Sequence, residues 1–304
     1  MIPKISIAII TYNQENLIGR ALDSVLKQKE YVYEIIISDD CSTDNNWQVI
    51  MDYYHKYPDI IKPYRQECNL GINRNLEFIW TIPTGDIIIE LSGDDALSNN
   101  LLKSVIYFIN DKKIDFYNEK FVIYADYESI TPKGKRKRFS NHLILKGYDP
   151  ISLKIRQHIC NRTTIVSRLV YKNFKLLRPD LGMFADELID IQTQIYSENN
   201  YYIPIVGSIY YAGIGVSAHC DLYDNYSTRI EANKEFEKIF NLSSKDKFYL
   251  KYKSTELEFR INPTISKFFL IWNYYFKSIY IKKEYKIIWI LRRMCSLLIR
   301  LLSH

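Results

Sequence analysis

The sequence predicts an α/β fold, in which a mixed or parallel sheet is flanked by helices and followed by a C-terminal helical extension. Two observations support this prediction. Over residues 4–91, short β-branched runs alternate with segments whose apolar residues recur at helical spacing, which is the pattern of βαβ units. Within this region Ile87-Ile88-Ile89 begins an apolar run without periodicity, which is typical of a strand buried on both faces of a parallel sheet.

The first two βα units follow directly from the residue pattern. Residues 5–10 predict a buried strand, and Thr11-Tyr12-Asn13 ends it with a residue type, Asn, that often caps a helix. The next helix has one apolar stripe, made of Leu17, Ile18, Ala21, Leu22, Val25 and Leu26. Residues 33–38 predict the second strand, and a loop at residues 39–44, rich in capping residues, precedes a helix near residues 47–56.

A third unit leads to the central strand. Residues 60–66 predict a strand that Pro63 favours at a sheet edge. Asn69-Leu70-Gly71 then predicts a turn before a helix over residues 72–80, and Gly85 precedes the central strand. Because right-handed crossovers place the ends of parallel strands on one edge, three polar loops should meet there. They are Thr11-Tyr12-Asn13, Asp39-Asp40 and residues 92–95.

The last of these loops, Ser92-Gly93-Asp94-Asp95, carries two adjacent carboxylates. Two such charges a few ångströms apart repel by roughly 3 kcal/mol at an effective dielectric near 20. A hard divalent cation such as Mg²⁺ or Mn²⁺ would turn the repulsion into attraction. Gly-Asp-Asp is also ordinary chemistry for a solvated turn, so these residues alone leave both interpretations open.

Composition and charge narrow the class of protein. At 304 residues, with 47% hydrophobic and 25% charged residues, the chain suits one large or two intimate globular domains. Its five cysteines form no Cys-x-x-Cys pair, which argues against a disulfide framework or a zinc site and for a reducing compartment. No secretion signal is evident at the N-terminus. The excess of Lys and Arg lies in residues 251–304, which argues against a protein built around nucleic acid.

Four motifs together resemble a known family. They are the first strand with Thr11-Tyr12-Asn13, residues 38–44, Asn69-Leu70-Gly71 with Arg74-Asn75, and residues 92–95. In order and spacing they resemble the family-2 glycosyltransferases with the A-type fold, strongly over residues 3–100 and more faintly to about residue 218. The resemblance implies a Rossmann-like sheet that binds a nucleotide-sugar.

The resemblance also implies a role for individual residues in donor binding. The implied donor-binding positions are Thr11, Tyr12, Glu15, Asp40, Arg74, Gly93 and Asp94. Among them Asp40 would accept a hydrogen bond from the base, Thr11 and Tyr12 would line base and ribose, and Arg74 would lie near the diphosphate. Asp94 and Asp95 would hold Mn²⁺ or Mg²⁺, although Ser92 stands where many relatives have the first Asp of an Asp-x-Asp triplet.

Alternative roles stay open for several of these residues. Asp39 is interpreted as a cap of the following helix rather than as a ligand contact, and Arg74 could simply pair with Glu77 on its own helix. Asp186 opens a predicted amphipathic helix where family members carry the catalytic base, and it fits better than Glu187. An Asp at a helix N-terminus is also ordinary capping. The histidine of the closing segment of relatives is absent unless His219 replaces it.

Two basic regions lie outside these motifs. Residues 133–138 (Lys-Gly-Lys-Arg-Lys-Arg) predict a solvated loop or hairpin tip, with contact to an anionic acceptor as the less favoured alternative. Residues 287–302 have one apolar and one basic face, which suits a helix lying in a membrane surface. Packing against the catalytic domain or a second subunit is the alternative. The predicted domains are a nucleotide-sugar-binding half, 1–110, an acceptor-binding half, 111–225, and a helical, membrane-associating region, 226–304.

The predicted function is an inverting, metal-dependent hexosyltransferase that uses a UDP-sugar. The acceptor would be a hydroxyl of a glycan or lipid-linked glycan in bacterial surface polysaccharide assembly, at the cytoplasmic face of the inner membrane. The alternative is a non-catalytic nucleotide-sugar-binding scaffold in a membrane complex. An RNA-dependent RNA polymerase also carries Gly-Asp-Asp, but in a β-hairpin of a far longer chain, so no nucleic acid partner is expected.

Overall fold

The computed structural model describes residues 2–140, 162–172, 174, 185–214, 222–282 and 287–302. The chain divides into two compact units, Met1–His219 and Cys220–His304. The first unit contains the sheet, and the second consists of helices in the part that is described. The predicted division at residues 110 and 225 stays a prediction.

One mixed sheet of nine strands forms the first unit in the described residues. The strands are β1 (Ile5–Thr11), β2 (Glu34–Asp39), β3 (Ile61–Arg65), β4 (Ile87–Ser92), β5 (Ala96–Leu97), β6 (Phe121–Ile130), β7 (Arg136–Phe139), β8 (Thr164–Ser167) and β9 (Asn199–Tyr211). Their order is β3-β2-β1-β4-β8-β6-β9-β5, with β7 paired to β6. Strands β1 to β4 are parallel, and β8 runs antiparallel to both β4 and β6. Strand β3 lies at the edge, as Pro63 predicts.

Helices cover both faces of this sheet. They are α1 (Ile18–Leu26), α2 (Asn46–Lys56), α3 (Ile72–Trp80), α4 (Leu101–Lys112), α5 (Arg168–Tyr171) and α6 (Ala185–Tyr196). Successive strand residues point to opposite faces, so Ile7 and Ile89 join one core, and Ala8 and Ile88 join the other. The predicted α/β fold class, with strands buried on both faces, is therefore confirmed.

The buried carboxylate of Glu34 links β1, β2 and β3 to the segment before β4. It lies where these parallel strands begin, at the opposite end of the strands from the polar loops. The Glu34 side chain accepts hydrogen bonds from Ser6 Oγ at 2.7 Å, from the Thr84 amide at 2.6 Å and from Lys62 Nζ at 2.5 Å. Burial opposes the charge of Glu34, but the hydrogen bonds from Lys62, Ser6 and Thr84 outweigh it and lower its pKa. Because a Gly85 Cβ would come within 2.7 Å of the Lys4 carbonyl oxygen, only glycine fits between the strands at that point.

The second unit contains four helices in its described residues: α7 (Leu222–Ile239), α8 (Ser244–Ile261), α9 (Ile265–Lys282) and α10 (Ile287–Leu302). Ser243 caps α8 by accepting a hydrogen bond from the Asp246 amide. Helices α8 and α9 pack through Tyr252, whose hydroxyl lies 2.8 Å from that of Tyr275. The predicted C-terminal helical extension is confirmed. Among the described helices, none combines the length and apolarity needed to cross a bilayer.

Candidate functional site

The ends of β1, β2 and β4 meet at one edge of the sheet. Thr11 pairs with Asp39 across β1 and β2, and Ile10 pairs with Ser92 across β1 and β4. Beyond the strands, the Asp40 amide donates to the Thr11 carbonyl at 3.0 Å, and the Gly93 amide donates to that of Ile10 at 2.9 Å. The three polar loops therefore come together as the sequence predicts.

The loop after β1 is joined to the loop after β2 by hydrogen bonds in both directions: the Asn13 amide donates to Ser42 Oγ at 2.9 Å, and the Asn13 side chain accepts in return. Asn13 Oδ1 accepts the Thr43 amide at 2.8 Å, and Asn13 has a left-handed φ of 51°. Asn13 therefore joins two loops and does not cap α1, which begins after Leu17 without a side-chain cap. The predicted cap is wrong because the chain continues for four residues before it becomes helical.

Three residues that are predicted to bind the nucleotide-sugar, Thr11, Tyr12 and Glu15, lie in or beside this cross-linked loop. Thr11 Oγ1 is buried and lies 2.8 Å from Gln14 Oε1, whereas Tyr12 is half-buried. Glu15 Oε2 accepts both the amide and the side-chain Nδ2 of Asn45, at 2.8 and 2.9 Å. Glu15 thus joins the loops after β1 and β2, and its role in donor binding stays a prediction.

The Asp40 carboxylate is buried and accepts two backbone amides. Leu70 N–H donates to Oδ1 at 2.7 Å, and Gly71 N–H donates to Oδ2 at 2.9 Å. Burial raises the pKa of Asp40. The hydrogen bonds from the two amides partly offset this increase, and the negative charge of Asp39 adds to it. Each carboxylate oxygen has a second lone pair, so this side chain retains acceptor capacity for a ligand. Gly71 has a left-handed φ of 80°, a conformation that glycine adopts without strain.

The neighbouring Asp39 does not cap α2. Its Oδ1 accepts the Ser42 amide at 2.8 Å, which closes a turn within the loop. The first α2 amide, that of Asn46, is instead bound by Asp44 Oδ1 at 3.0 Å. Asp39 Oδ2 is buried without a hydrogen-bond partner in the described part of the chain. The expectation that Asp39 caps the helix is therefore wrong.

Arg74 lies in the first turn of α3, and its side chain is exposed. The helix is held against β2 by Asn75, whose Nδ2 donates to the Ser38 carbonyl at 3.2 Å. Arg74 comes three residues after Gly71, whose amide binds Asp40. The backbone of Arg74 therefore lies near the loop that carries Asp40. Its contact with a diphosphate stays a prediction.

The acidic loop after β4 lies close against β1. A Cβ at position 93 would lie 2.8 Å from Thr11 Oγ1 and would also clash with Gln14 Oε1, so glycine is required there. Asp95 is 7% exposed, and its Oδ1 accepts the Tyr211 amide at 3.2 Å. Burial, and then the charge of Asp94, raise the pKa of Asp95 to about 7. Burial also raises the pKa of Asp94.

Two arginines that the sequence motifs do not predict, Arg20 and Arg162, surround the acidic pair. Arg20 Nη2 donates to the Asp94 carbonyl, and its guanidinium lies 3.5 Å from the centroid of the Tyr211 ring. Arg162 Nη1 lies 3.9 Å from Asp95 Oδ2, and its guanidinium is 3.6 Å from the Tyr210 ring centroid. No local pattern points to either residue, because β9 brings the two tyrosines to the loop from more than a hundred residues away.

The acidic pair fits a divalent cation better than it fits a solvated turn. The two carboxylates are largely removed from water, and mutual repulsion contributes to the raised pKa of Asp95. A cation bound between them would relieve that repulsion. Among the described residues no cluster of three or more His, Cys, Asp or Glu side chains could hold a metal. Asp94 and Asp95 would supply part of a coordination shell, which phosphate oxygens and water commonly complete.

The proposed catalytic base lies on a helix that the structure contains. Asp186 is the second residue of α6, but its side chain, like that of Glu187, lies outside the described residues. The loop before α6 and His219 also lie outside them. The assignment of Asp186 as base therefore stays a prediction.

Comparison with solved structures supports the fold. The structure of Staphylococcus aureus TarS 1-349 in complex with UDP aligns with a TM-score of 0.62 at 18% identity, covering 88% of this chain and 75% of that one. The mannosyltransferase PcManGT from Pyrobaculum calidifontis, in complex with GDP-Man and Mn2+, aligns with a TM-score of 0.59 at 13% identity. That alignment covers 100% of this chain and 87% of that one.

Sequence comparison identifies the family. A poly(ribitol-phosphate) beta-N-acetylglucosaminyltransferase, TarS of Staphylococcus aureus, is 30% identical over 203 residues, which are 65% of this chain and 32% of that protein. The matched part spans between 18% and 38% of the length of several curated relatives. Residues 6–170, more than half of the chain, match the family described as glycosyl transferase family 2. This chain therefore belongs to glycosyltransferase family 2.

Proposed function

We propose that this chain is an inverting glycosyltransferase that moves a hexose from a UDP-sugar to a hydroxyl of a glycan or lipid-linked glycan. The observation that carries the proposal is the convergence of Asp40 and the Asp94-Asp95 pair at one sheet edge of a family-2 chain. Ligands of open α/β sheets bind at this edge. The names of two structural neighbours, which mention UDP and a GDP-sugar, support a nucleotide-sugar donor.

In this proposal each residue acts on one part of the donor. Asp40 accepts a hydrogen bond from the base, and Thr11 and Tyr12 contact base and ribose. Arg20 holds the acidic loop through the Asp94 carbonyl, so that both carboxylates keep their position. A divalent ion bound by Asp94 and Asp95 would supply positive charge near the diphosphate.

The acceptor hydroxyl needs a base. Asp186 would take its proton as the oxygen attacks the anomeric carbon from the face opposite the diphosphate, which inverts the configuration. General-base assistance of this kind typically contributes about 10²–10⁴-fold. The position of Asp186 at the start of α6 and the family membership support this assignment.

A biochemical assay tests the proposal. The full chain should release UDP from at least one member of a UDP-sugar panel in the presence of Mn²⁺, and an acceptor glycan should increase that release. Chelation of the metal should suppress it. Binding of a UDP-sugar without any release, with every acceptor tried, would favour the second candidate, a nucleotide-sugar-binding scaffold. Ser92, which replaces an acidic residue of many relatives, is the observation that favours that candidate.

We further propose that the second unit contacts the cytoplasmic face of the inner membrane. Large apolar side chains are exposed on two helices, with Ile265 and Phe269 on α9 and Ile299 and Leu302 on α10 all more than 60% exposed. Basic residues are frequent in the same stretch of sequence. Apolar burial and attraction to anionic lipid would act together at such a surface.

A further inference from the structure

The turn and strand at residues 131–138, which we call the basic hairpin, carry five cations in the run Lys-Gly-Lys-Arg-Lys-Arg. Strand β7 pairs with the end of β6 over residues 127–130 and 136–139. All of residues 133–138 are exposed. The run is thus part of the folded sheet and not a separate tail.

The two arginines of the basic hairpin are already paired. Arg136 Nη1 lies 2.8 Å from Glu128 Oε2. Arg138 donates to Asp126 Oδ2 from Nε and Nη2, at 2.9 and 2.6 Å. Asp126 is 1% exposed and also accepts the Tyr202 hydroxyl at 2.9 Å. These arginines therefore anchor the hairpin to the sheet, and their charges are largely compensated.

The three lysines are not compensated in this way. Within the described part of the chain, Lys133, Lys135 and Lys137 form no salt bridge with a carboxylate. Lys137 Nζ lies 4.4 Å from the centroid of the Phe139 ring, but a contact with an aromatic face leaves the charge uncancelled. Three net positive charges therefore face solvent together.

The turn that presents them is ordered. The Gly134 amide donates to the Thr131 carbonyl at 2.8 Å, and the Lys135 amide donates to Thr131 Oγ1 at 3.1 Å. Gly134 has a left-handed φ of 75° with open space around it. Lys135 and Lys137 lie on the same side of an extended segment, with their Cα atoms about 7 Å apart. Such spacing suits several anionic groups along a chain better than a single ion.

The basic hairpin also begins beside the acidic loop. Strand β6 runs parallel to β9, and the Ala212 amide donates to the Ile130 carbonyl at 2.9 Å. The adjacent Tyr211 amide binds Asp95 Oδ1 at 3.2 Å. The amides of Tyr211, the last residue of β9, and of Ala212, which follows it, thus join the hairpin base to the proposed donor site.

We propose that Lys133, Lys135 and Lys137 bind phosphate groups repeated along an anionic acceptor chain. This inference rests on the proposed transfer to an acceptor hydroxyl and adds the chemical class of the acceptor. The ordered turn, its uncompensated charge and its position beside the acidic loop support it together. The lysines hold the anionic acceptor while one of its hydroxyls enters the proposed donor site.

The test removes the three charges and retains the anchoring arginines. We compare the full chain with a triple variant, Lys133→Gln, Lys135→Gln and Lys137→Gln. A matched control, Lys27→Gln, Lys103→Gln and Lys113→Gln, removes three exposed lysines outside the hairpin. The probes are a synthetic glycerol-phosphate oligomer, an uncharged dextran oligomer, UDP with Mn²⁺, and vesicles of phosphatidylglycerol and phosphatidylcholine, each followed by equilibrium binding.

We expect the triple variant to bind the glycerol-phosphate oligomer at least tenfold more weakly. The slope of the logarithm of the binding constant against the logarithm of the salt concentration should become less steep by about 2. Binding of UDP with Mn²⁺ and the behaviour of the control variant should not change. Equal oligomer binding by the triple variant and the full chain would overturn the inference. It would also be overturned if only vesicle binding fell, because the hairpin would then contact membrane. Since binding needs no turnover, an inactive full chain would count against the proposed function and not against this inference.

Discussion

The Asp95 carboxylate is the residue on which the proposed metal site depends most. It is almost fully buried, and its neighbour Asp94 carries a like charge, so the pair is held together against repulsion. One remaining carboxylate is a poor match for an ion that prefers several oxygen ligands. We predict that Asp95→Ala abolishes Mn²⁺-dependent binding of UDP.

Calorimetric titration of the UDP–Mn²⁺ complex measures this effect. Asp111→Ala is a suitable control because Asp111 is an exposed carboxylate at the end of α4. The metal assignment would be lost if Asp95→Ala bound UDP with Mn²⁺ as the unchanged chain does.

Substitution of the proposed base, Asp186, separates its effect on turnover from its effect on donor binding. Asp186→Asn keeps the shape of the side chain and removes its basicity. Turnover should therefore fall at least ~100-fold while donor affinity stays within about threefold. Steady-state turnover and calorimetric donor binding give the two values. Glu187→Gln should behave like the unchanged chain, and the reverse result would assign the base to Glu187.

At the scale of elements, Glu34 links β1, β2 and β3 to the segment before β4. We predict that Glu34→Gln lowers the free energy of unfolding by about 2 kcal/mol at pH 7, because charged hydrogen bonds are lost in a buried place. The folded-state pKa of Glu34 is lowered, so its contribution is present above the ordinary value of 4.5. It disappears as the pH falls through the lowered folded-state pKa.

Denaturant unfolding at several pH values checks both parts of this prediction. The difference between the full chain and Glu34→Gln should shrink below pH 4.5, the ordinary pKa value of this residue type. Glu30→Gln, at an exposed position just before β2, should have little effect at any pH. A difference that stays constant as the pH falls would contradict the proposed role of the charge.

Gly93 allows the acidic loop to pack closely on β1. Gly93→Ala would place a methyl group 2.8 Å from Thr11 Oγ1, and such overpacking typically costs about 1–3 kcal/mol. Donor binding should weaken as well, because the loop carries the acidic pair. In contrast, Gly19→Ala on α1 meets only the end of the Tyr53 side chain at 3.3 Å. Thermal unfolding measures both variants. An equal decrease in the unfolding temperature of Gly93→Ala and Gly19→Ala would contradict the proposed close approach.

The order of local elements was predictable because each βα unit carries its own apolar period. The same information located Asp40 and the acidic pair, since parallel strand ends share an edge. Glu90 shows where local patterns fail: it interrupts an apolar strand, yet it is bound by Trp80 Nε1 at 2.5 Å and the Tyr171 hydroxyl at 2.6 Å. Those partners come from α3 and α5, and no sequence period connects them to β4. Arg20 and Tyr211 were missed for the same reason.

The helices of the second unit that carry the proposed membrane contact also bury side chains against one another. Removal of everything after about residue 262 would delete α9, and with it the buried Tyr275 that packs on Tyr252. Such a truncation would expose the core of α8, so loss of binding would not be informative. Substitution of exposed residues leaves this core intact.

We predict that the double variant Phe269→Glu and Ile299→Glu loses most of its binding to anionic vesicles. Both side chains are more than 60% exposed, and burial of each in lipid would contribute about 1.5–3 kcal/mol. Their loss should weaken vesicle binding roughly 100-fold, since each 1.4 kcal/mol corresponds to a factor of ten. High salt should weaken binding of the unchanged chain only in part, because the apolar contribution does not depend on charge.

Flotation with vesicles, read beside turnover on a soluble acceptor, distinguishes the two interpretations of these helices. In the membrane interpretation the double variant stays active but no longer floats. Tyr107→Glu, a control at a 73% exposed aromatic residue of α4, should float like the unchanged chain. If instead α9 and α10 bind a second copy of the chain, the unchanged protein would not float with vesicles. The double variant would then sediment as a smaller species, because charge at these two positions would separate the copies.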